Sequence, residues 1–346
     1  MRSDLPAAVR TAIAGAHRPS LVFETARIEA NARAIAAAAH GYTTLFAAKS
    51  FPHPAVRAIC ARSFDGFDVA STAELEEVGR ARVISVADPT GRAGAAAKAE
   101  RLIVACETVE QVAAAPAHAE IALRVSMSIT GRDPAVGAVE ASGHRRSRFG
   151  VDTRAQIAAL RDAAGDRRIG LHVHHGPVAA TSSERFIATA RAVLALADFE
   201  PRFLDVGGAW HAVADLPRAL AELRAAVPRS IELVIEPGRV VVEGAGFACG
   251  RVVVARELLD RPLRVSDLSR ICHLRWSQVE LVVEHPGVGT STLFVGPTCF
   301  EEDVLGEWVT EPPPLGAPIV LRNVSGYAVG WNTSFGGVPA ADVLLV

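Results

Sequence analysis

The residues best equipped for chemistry in this 346-residue sequence stand at the ends of short apolar runs. Lys49 follows TLFAA, and Asp68 and Ser71 lie in and after FDVA. His174 and His175 close IGLHVHH, Gly207 and Gly208 follow FLDV, and Glu236 and Arg239 follow ELVI. An amine that is desolvated and close to other cations has a lowered pKa and can form an imine with an aldehyde. The backbone N–H groups of DVGGAW, where glycine permits close approach, and the forked guanidinium of Arg239 suit a phosphate dianion. A carboxylate such as Glu236 suits a protonated pyridine nitrogen and keeps such a ring an electron sink. Each residue alone has a plainer role: a lysine snorkelling at a rim, a hydrogen-bonded structural histidine, a glycine turn. Their recurrence at one kind of position singles them out.

The runs themselves are TLFAA, FDVA, VISVA, LIVA, IALRV, IGLHVH, FLDV and ELVI, and amphipathic stretches such as TAELEEVGRAR, TRAQIAALRDAAG and LPRALAELRAAV alternate with them. That alternation predicts an α/β fold with a parallel sheet, and eight runs match a closed (β/α)8 TIM-type barrel, in which the carboxyl ends of the strands carry the chemistry. From about Val240 the pattern changes to short β-rich runs between Gly and Pro, which predicts a smaller, mainly antiparallel β domain. The expected organisation is a barrel over residues 25–240, with residues 1–24 and 241–346 forming the β domain. The Gly- and Arg-rich segment from Ser126 to Arg148 is long for a connection, as a functional lid or a locally disordered loop would be.

Composition narrows the classes. Half the residues are hydrophobic and 21% are charged, the balance of a globular protein with a sizeable core. A formal net charge of -2 with scattered Arg gives no basic stripe for nucleic acid. The opening residues show no secretory apolar region, and no run reaches the roughly 18 residues of a membrane span, so a cytoplasmic location and no membrane partner are expected. Five dispersed cysteines without a CxxC pair are expected to be free thiols.

Taken in order, FAAKS, FDVASTAEL, SRFG, GLHVHHG, LDVGGAW, IEPGR, GPTCFEEDVL and SGYAVG resemble the motifs of the ornithine, diaminopimelate and biosynthetic arginine decarboxylases. These are pyridoxal 5'-phosphate (PLP) enzymes with an alanine-racemase-like barrel and a C-terminal β domain. The resemblance runs from about Leu21 to the C-terminus. It implies that Lys49 carries PLP as a Schiff base beside Asp68, that His174 stacks on the pyridine ring, and that Glu236 binds its nitrogen. Gly207, Gly208, Ala209, Arg239 and Tyr327 would surround the phosphate. Cys299 would protonate the carbanion left by carbon dioxide and would come from the partner of a homodimer. The plainer role for Cys299 is that of a buried small hydrophobe.

Three departures from the family pattern bear on function. Pro177 replaces the serine whose hydroxyl binds phosphate after His175 and Gly176, and it lacks an N–H as well. Ala209 replaces the third glycine of its motif. Phe300 stands where ornithine and diaminopimelate decarboxylases carry an acid for the distal end of the substrate; Glu301 or Glu302 could substitute, and Phe300, Glu301 and Asp303 are the expected specificity residues. The simplest expectation is an amino-acid-type substrate whose far end is apolar, amide-like or conjugated. Other readings stay open: an amino-acid racemase on the same fold, although Glu236 favours a decarboxylase because the racemases use Arg at the pyridine nitrogen; a non-catalytic regulatory homologue; and a metal-dependent barrel hydrolase using His172, His174 and His175, against which no matching carboxylate cluster is evident in the sequence.

Overall fold

Continuous runs of Val, Ile, Leu and Phe between turn residues are what a strand buried on both faces requires. In the computed structural model, which describes residues 5–127, 147–174, 183–283, 285 and 287–346, each run is a strand. Thr43–Ala47, Gly66–Val69, Val83–Val86, Arg101–Cys106, Glu120–Arg124, Ile169–His172, Phe203–Asp205 and Glu232–Ile235 pair in parallel and in chain order. Thr43 and Thr44 pair with Val234 and Ile235 to close the barrel. The expected α/β fold with a closed barrel is therefore borne out. Most of the Ser126–Arg148 segment lies outside the described residues.

The helices begin where the sequence supplies caps. Thr108 and Thr153 each form a reciprocal capping box with Gln111 and Gln156, opening Val109–Ala114 and Arg154–Ala164. Ser71 accepts from the Glu74 N–H and opens Thr72–Val78 directly after the second strand. Inside the barrel, Leu45, Val83, Ile103, Ala105, Ala122, Phe203 and Val234 form one buried cluster. Gly170 makes room for it, since a Cβ there would stand 2.4 Å from the Phe203 ring.

The amino ends of the strands are closed by charge. Arg101 donates to Glu120 at 3.0 Å and to Glu232 at 2.7 Å, and Arg168 donates to the same two carboxylates at 2.6 and 2.7 Å. The Thr43 hydroxyl also donates to Glu232. Burial alone would raise the Glu232 carboxyl, but the hydrogen bonds from Arg101, Arg168 and Thr43 outweigh it and hold the group at about 2.

Two compact units divide the chain: residues 32–49 with 57–241, and residues 1–31 with 50–56 and 242–346. The second unit is built on the long strand Gly246–Leu258, whose first half pairs with Pro318–Arg322 and Ser20–Phe23 and whose second half pairs with Arg261–Ser266. A register shift between Val252 and Val254 lets one strand serve both. The sheet is mainly antiparallel, with parallel pairings of Leu263–Val265 to Leu293–Val295 and of Ser20–Phe23 to Asp342–Leu345. The helix Ala7–Gly15, for which the sequence analysis names no element, presents Val9 to a core with Leu5, Val22, Phe247, Cys249, Val282 and Val320.

Candidate active site

At the carboxyl ends of the first two barrel strands, Ala47 is in register with Asp68. The chain then makes a short 3-10 turn, Ala48–Ser50, that carries Lys49. Lys49 Nζ donates to Asp68 Oδ2 at 2.6 Å. Asp68 is fully buried while the lysine side chain remains about one third exposed at 31%, so the amine is held yet reachable.

Successive residues of an extended strand alternate faces, so His172 and His174 project to the same side. His172 is buried and His174 is partly exposed. Both reach from the end of the sixth strand, past the seventh, toward Glu236 at the end of the eighth: His172 Nε2 is 3.5 Å from Glu236 Oε1, and His174 Nε2 is 4.0 Å from Oε2. Asp205, the last residue of the seventh strand, shares a hydrogen bond with Glu236 and accepts from the Gly207 N–H at 2.8 Å.

That second bond fixes the DVGGAW turn. Glu236 N–H and Trp210 Nε1–H both donate to the Gly207 carbonyl, at 2.9 and 2.8 Å. Trp210 is clamped in turn by stacking on Phe186 at 4.2 Å. Gly207 has φ +67°, and a Cβ on it would stand 2.9 Å from the His174 ring. Gly208 would likewise meet His174 Nε2 at 3.2 Å, so the glycine pair leaves the imidazole its place. Ala209 takes φ +70°, a left-handed conformation that costs a non-glycine residue roughly 1–2 kcal/mol. Arg239 Nη1 lies 3.4 Å from His211 Nε2, and burial followed by the Arg239 charge pushes that imidazole down to about 4.

Electrostatically the centre is a crowd of buried acids. Burial, then the charges of Asp205 and Asp68, raise Glu236 well above the carboxylate range, and burial raises Asp205. Burial, then Arg124, His174 and Lys49, depress His172, so its ring is neutral. Ligand atoms of His172, Asp205 and Glu236 lie within 4.8 Å of one another. This corrects the reading that no carboxylate cluster accompanies the histidines; strands six, seven and eight are adjacent in the barrel, a closeness that linear spacing conceals. Asp205 and His211 are the site residues that sequence reasoning passed over, although LDVGGAW contained the first.

Elsewhere in the fold, within the other unit, Tyr327 opens the turn Tyr327–Gly330 and lies 5.1 Å from the Trp276 ring. Cys299 is exposed, as are Phe300, Glu301 and Glu302. Phe300 meets Phe335 edge to face at 5.1 Å. Asp303 is buried, and its carboxylate accepts from the Ser269 hydroxyl, the Arg270 N–H and the N–H and hydroxyl of Thr298. His175, Gly176 and Pro177 lie outside the described residues.

The pyridoxal-dependent decarboxylase family, by its pyridoxal-binding domain, matches residues 25–243, and the chain belongs to this family, whose cofactor is PLP. It is 30% identical over 251 residues to the diaminopimelate decarboxylase of Deinococcus radiodurans, a match covering 68% of this chain and 64% of that protein, which is under two thirds of its length. With the diaminopimelate decarboxylase of Vibrio cholerae it shares 24% identity over 95% of this chain and 87% of that one. In fold it is similar to the lysine/ornithine decarboxylase of Vibrio vulnificus complexed with putrescine (TM-score 0.78, 17% identity, 98% and 97% of the two chains). It is equally similar to the arginine decarboxylase of Paramecium bursaria Chlorella virus bound to agmatine (TM-score 0.79, 18% identity, 98% and 100%).

The barrel mouth fits PLP on its own geometry. Glu236 Oε1 is buried without a hydrogen-bond partner among the described residues, as an acid awaiting a ring nitrogen would be. A reachable amine and a glycine turn complete the set. Among the described residues no helix is long and apolar enough to cross a membrane.

Proposed function

We propose that the protein decarboxylates an α-amino acid or a close derivative, with Lys49 as the amine that holds the PLP aldehyde. The observation that carries this reading is the 2.6 Å Lys49–Asp68 pair at the same barrel mouth as Glu236 and the Gly207–Ala209 turn. When bound, PLP supplies a ring that accepts the electron pair of the breaking Cα–carboxylate bond.

The protein's own groups divide the rest. Asp68 orients Lys49 and balances its charge. His174 covers one face of the ring, in the place the two glycines leave for it. Glu236 takes the ring nitrogen as a carboxylate opposite its proton. The N–H groups of Gly207, Gly208 and Ala209, with Arg239, hold the phosphate, which compensates for Pro177. Cys299 Sγ delivers a proton to the substrate carbon after carbon dioxide leaves, from the partner subunit of a homodimer; its exposure supports this.

Specificity follows from the loop around Cys299. The Asp303 carboxylate is engaged by Ser269, Arg270, Ile271 and Thr298 of its own unit, and Phe300 presents a ring paired with Phe335. A distal ammonium therefore finds no acid at the Phe300 position, and we read the substrate as one whose far end is apolar, amide-like or conjugated.

The test is a screen of amino acids and conjugates for carbon dioxide release by PLP-loaded protein in deuterated water. An amine product with one solvent deuteron at Cα, together with a long-wavelength absorbance lost in Lys49→Ala, is expected. Retained carboxylate with Cα exchange would make the protein a racemase instead.

A further inference from the structure

His172 is the least explained residue of the barrel mouth. It is 2% exposed, and both ring nitrogens lack a hydrogen-bond partner among the described residues. A buried polar side chain in that state costs stability unless another state of the protein uses it. The atom opposite is equally orphaned: Glu236 Oε1, buried and without a partner, is 3.5 Å from His172 Nε2. Two unsatisfied groups that face each other just beyond hydrogen-bonding distance are one small contraction from satisfying each other.

We infer that His172 is a positioning residue for the cofactor, donating from Nε2 to one lone pair of Glu236 Oε1, leaving the other for the ring nitrogen, and so fixing the group as a carboxylate. This rests on the reading of Glu236 given above. Glu236 needs such a donor. Asp205 shares a hydrogen bond with it, Asp68 lies near, and two buried carboxyl groups in hydrogen-bond contact hold a proton between them. A protonated ring nitrogen requires the opposite: an acid that has given its proton up. The groups facing Glu236 are His172 and His174 from the sixth strand, Asp205 from the seventh, Asp68 from the second, Lys49 from the first and Arg124 from the fifth. Of these, the cations Lys49 and Arg124 already pair with Asp68 and Glu107. His172 aims an uncommitted N–H at the uncommitted oxygen. Its neutrality suits the task, because a tautomer with Nε2–H donates without adding charge.

The inference is tested on PLP binding to the apoprotein, followed by absorbance as a function of pH, with no turnover required. In the unsubstituted protein, affinity weakens as pH falls and the Asp205–Glu236 pair regains its proton. His172→Phe is expected to move that midpoint to higher pH and to weaken binding about tenfold at neutral pH, the worth of one hydrogen bond to a charged group. His172→Gln, which keeps an N–H donor at similar reach, is expected to restore the midpoint. In a Glu236→Gln background His172→Phe is expected to shift nothing. His172→Leu supplies the same comparison should the Phe variant not fold. Equal weakening at every pH, or no rescue by Gln, would reduce His172 to packing and overturn the inference. A Glu236→Gln variant that keeps the parent pH profile would instead overturn the assignment of Glu236 to the ring nitrogen.

Discussion

Asp303 and Ser269 are joined across 34 residues of sequence: the Ser269 hydroxyl donates to both oxygens of the Asp303 carboxylate, at 3.0 and 3.1 Å. The same carboxylate takes the Arg270 N–H at 2.6 Å and the Thr298 hydroxyl at 2.7 Å, so one buried acid ties the turn after Ser266 to the loop that displays Cys299. Asp303→Ala leaves several donors unsatisfied, and a loss of about 3 kcal/mol in unfolding free energy is expected. Denaturant unfolding checks it. A loss under about half that would mean water replaces the carboxylate readily.

Phe300→Asp restores an acid beside Cys299 at an exposed position and disturbs little besides the edge-to-face contact with Phe335. A gain of about fivefold in kcat/KM for ornithine, lysine or diaminopimelate is expected, the upper value of one partly solvated ion pair. Unchanged kcat/KM on all of them would remove Phe300 from the specificity argument.

The charged closure at the amino ends of the strands is remote from the mouth and should govern stability alone. Glu232→Gln removes the charge shared by Arg101 and Arg168; because the network is partly exposed, about 2 kcal/mol is expected. The Glu232 carboxyl is held at about 2, below its ordinary 4.5, so its contribution is complete above pH 4.5 and disappears as pH falls toward 2. The difference in unfolding free energy between the parent and Glu232→Gln proteins should follow that course while kcat stays constant. A large fall in kcat would show that the closure shapes the mouth.

Ala209 spends conformational energy in the left-handed region at φ +70°. Relieving roughly 1–2 kcal/mol of strain against the roughly 0.5–1 kcal/mol entropic cost of glycine leaves a net gain of about 0.5–1 kcal/mol for Ala209→Gly. Calorimetry should show a raised Tm; a lowered one would mean that the methyl group packs productively.

The barrel was legible because its strands are buried on both faces and read as apolar runs, and the eight runs coincide with the eight strands. Lys49, Glu236 and the glycine turn could be picked out since they interrupt those runs. What escaped was closeness between strands: Asp205 reaching Glu236 while it holds Gly207, and His172 turned toward both. Asp303 was legible as an acid near Cys299 but not as one already occupied, because its partners at 269–270 are remote in sequence. The helix Ala7–Gly15 was hidden by its lack of an acidic first turn and of a side-chain cap.

The strand Ser20–Phe23 lies between Gly246–Cys249 and Asp342–Leu345, and Val346 receives both the N–H and the hydroxyl of Thr25, 321 residues earlier. During translation this segment must therefore wait, one edge bare, until residues 342–346 have left the ribosome, while every strand of the barrel has already emerged. An idle strand edge is a template for pairing with strangers. Removing the pairing of Asp342–Val346 would make that vulnerable interval permanent, giving these five residues an influence on assembly out of proportion to their size.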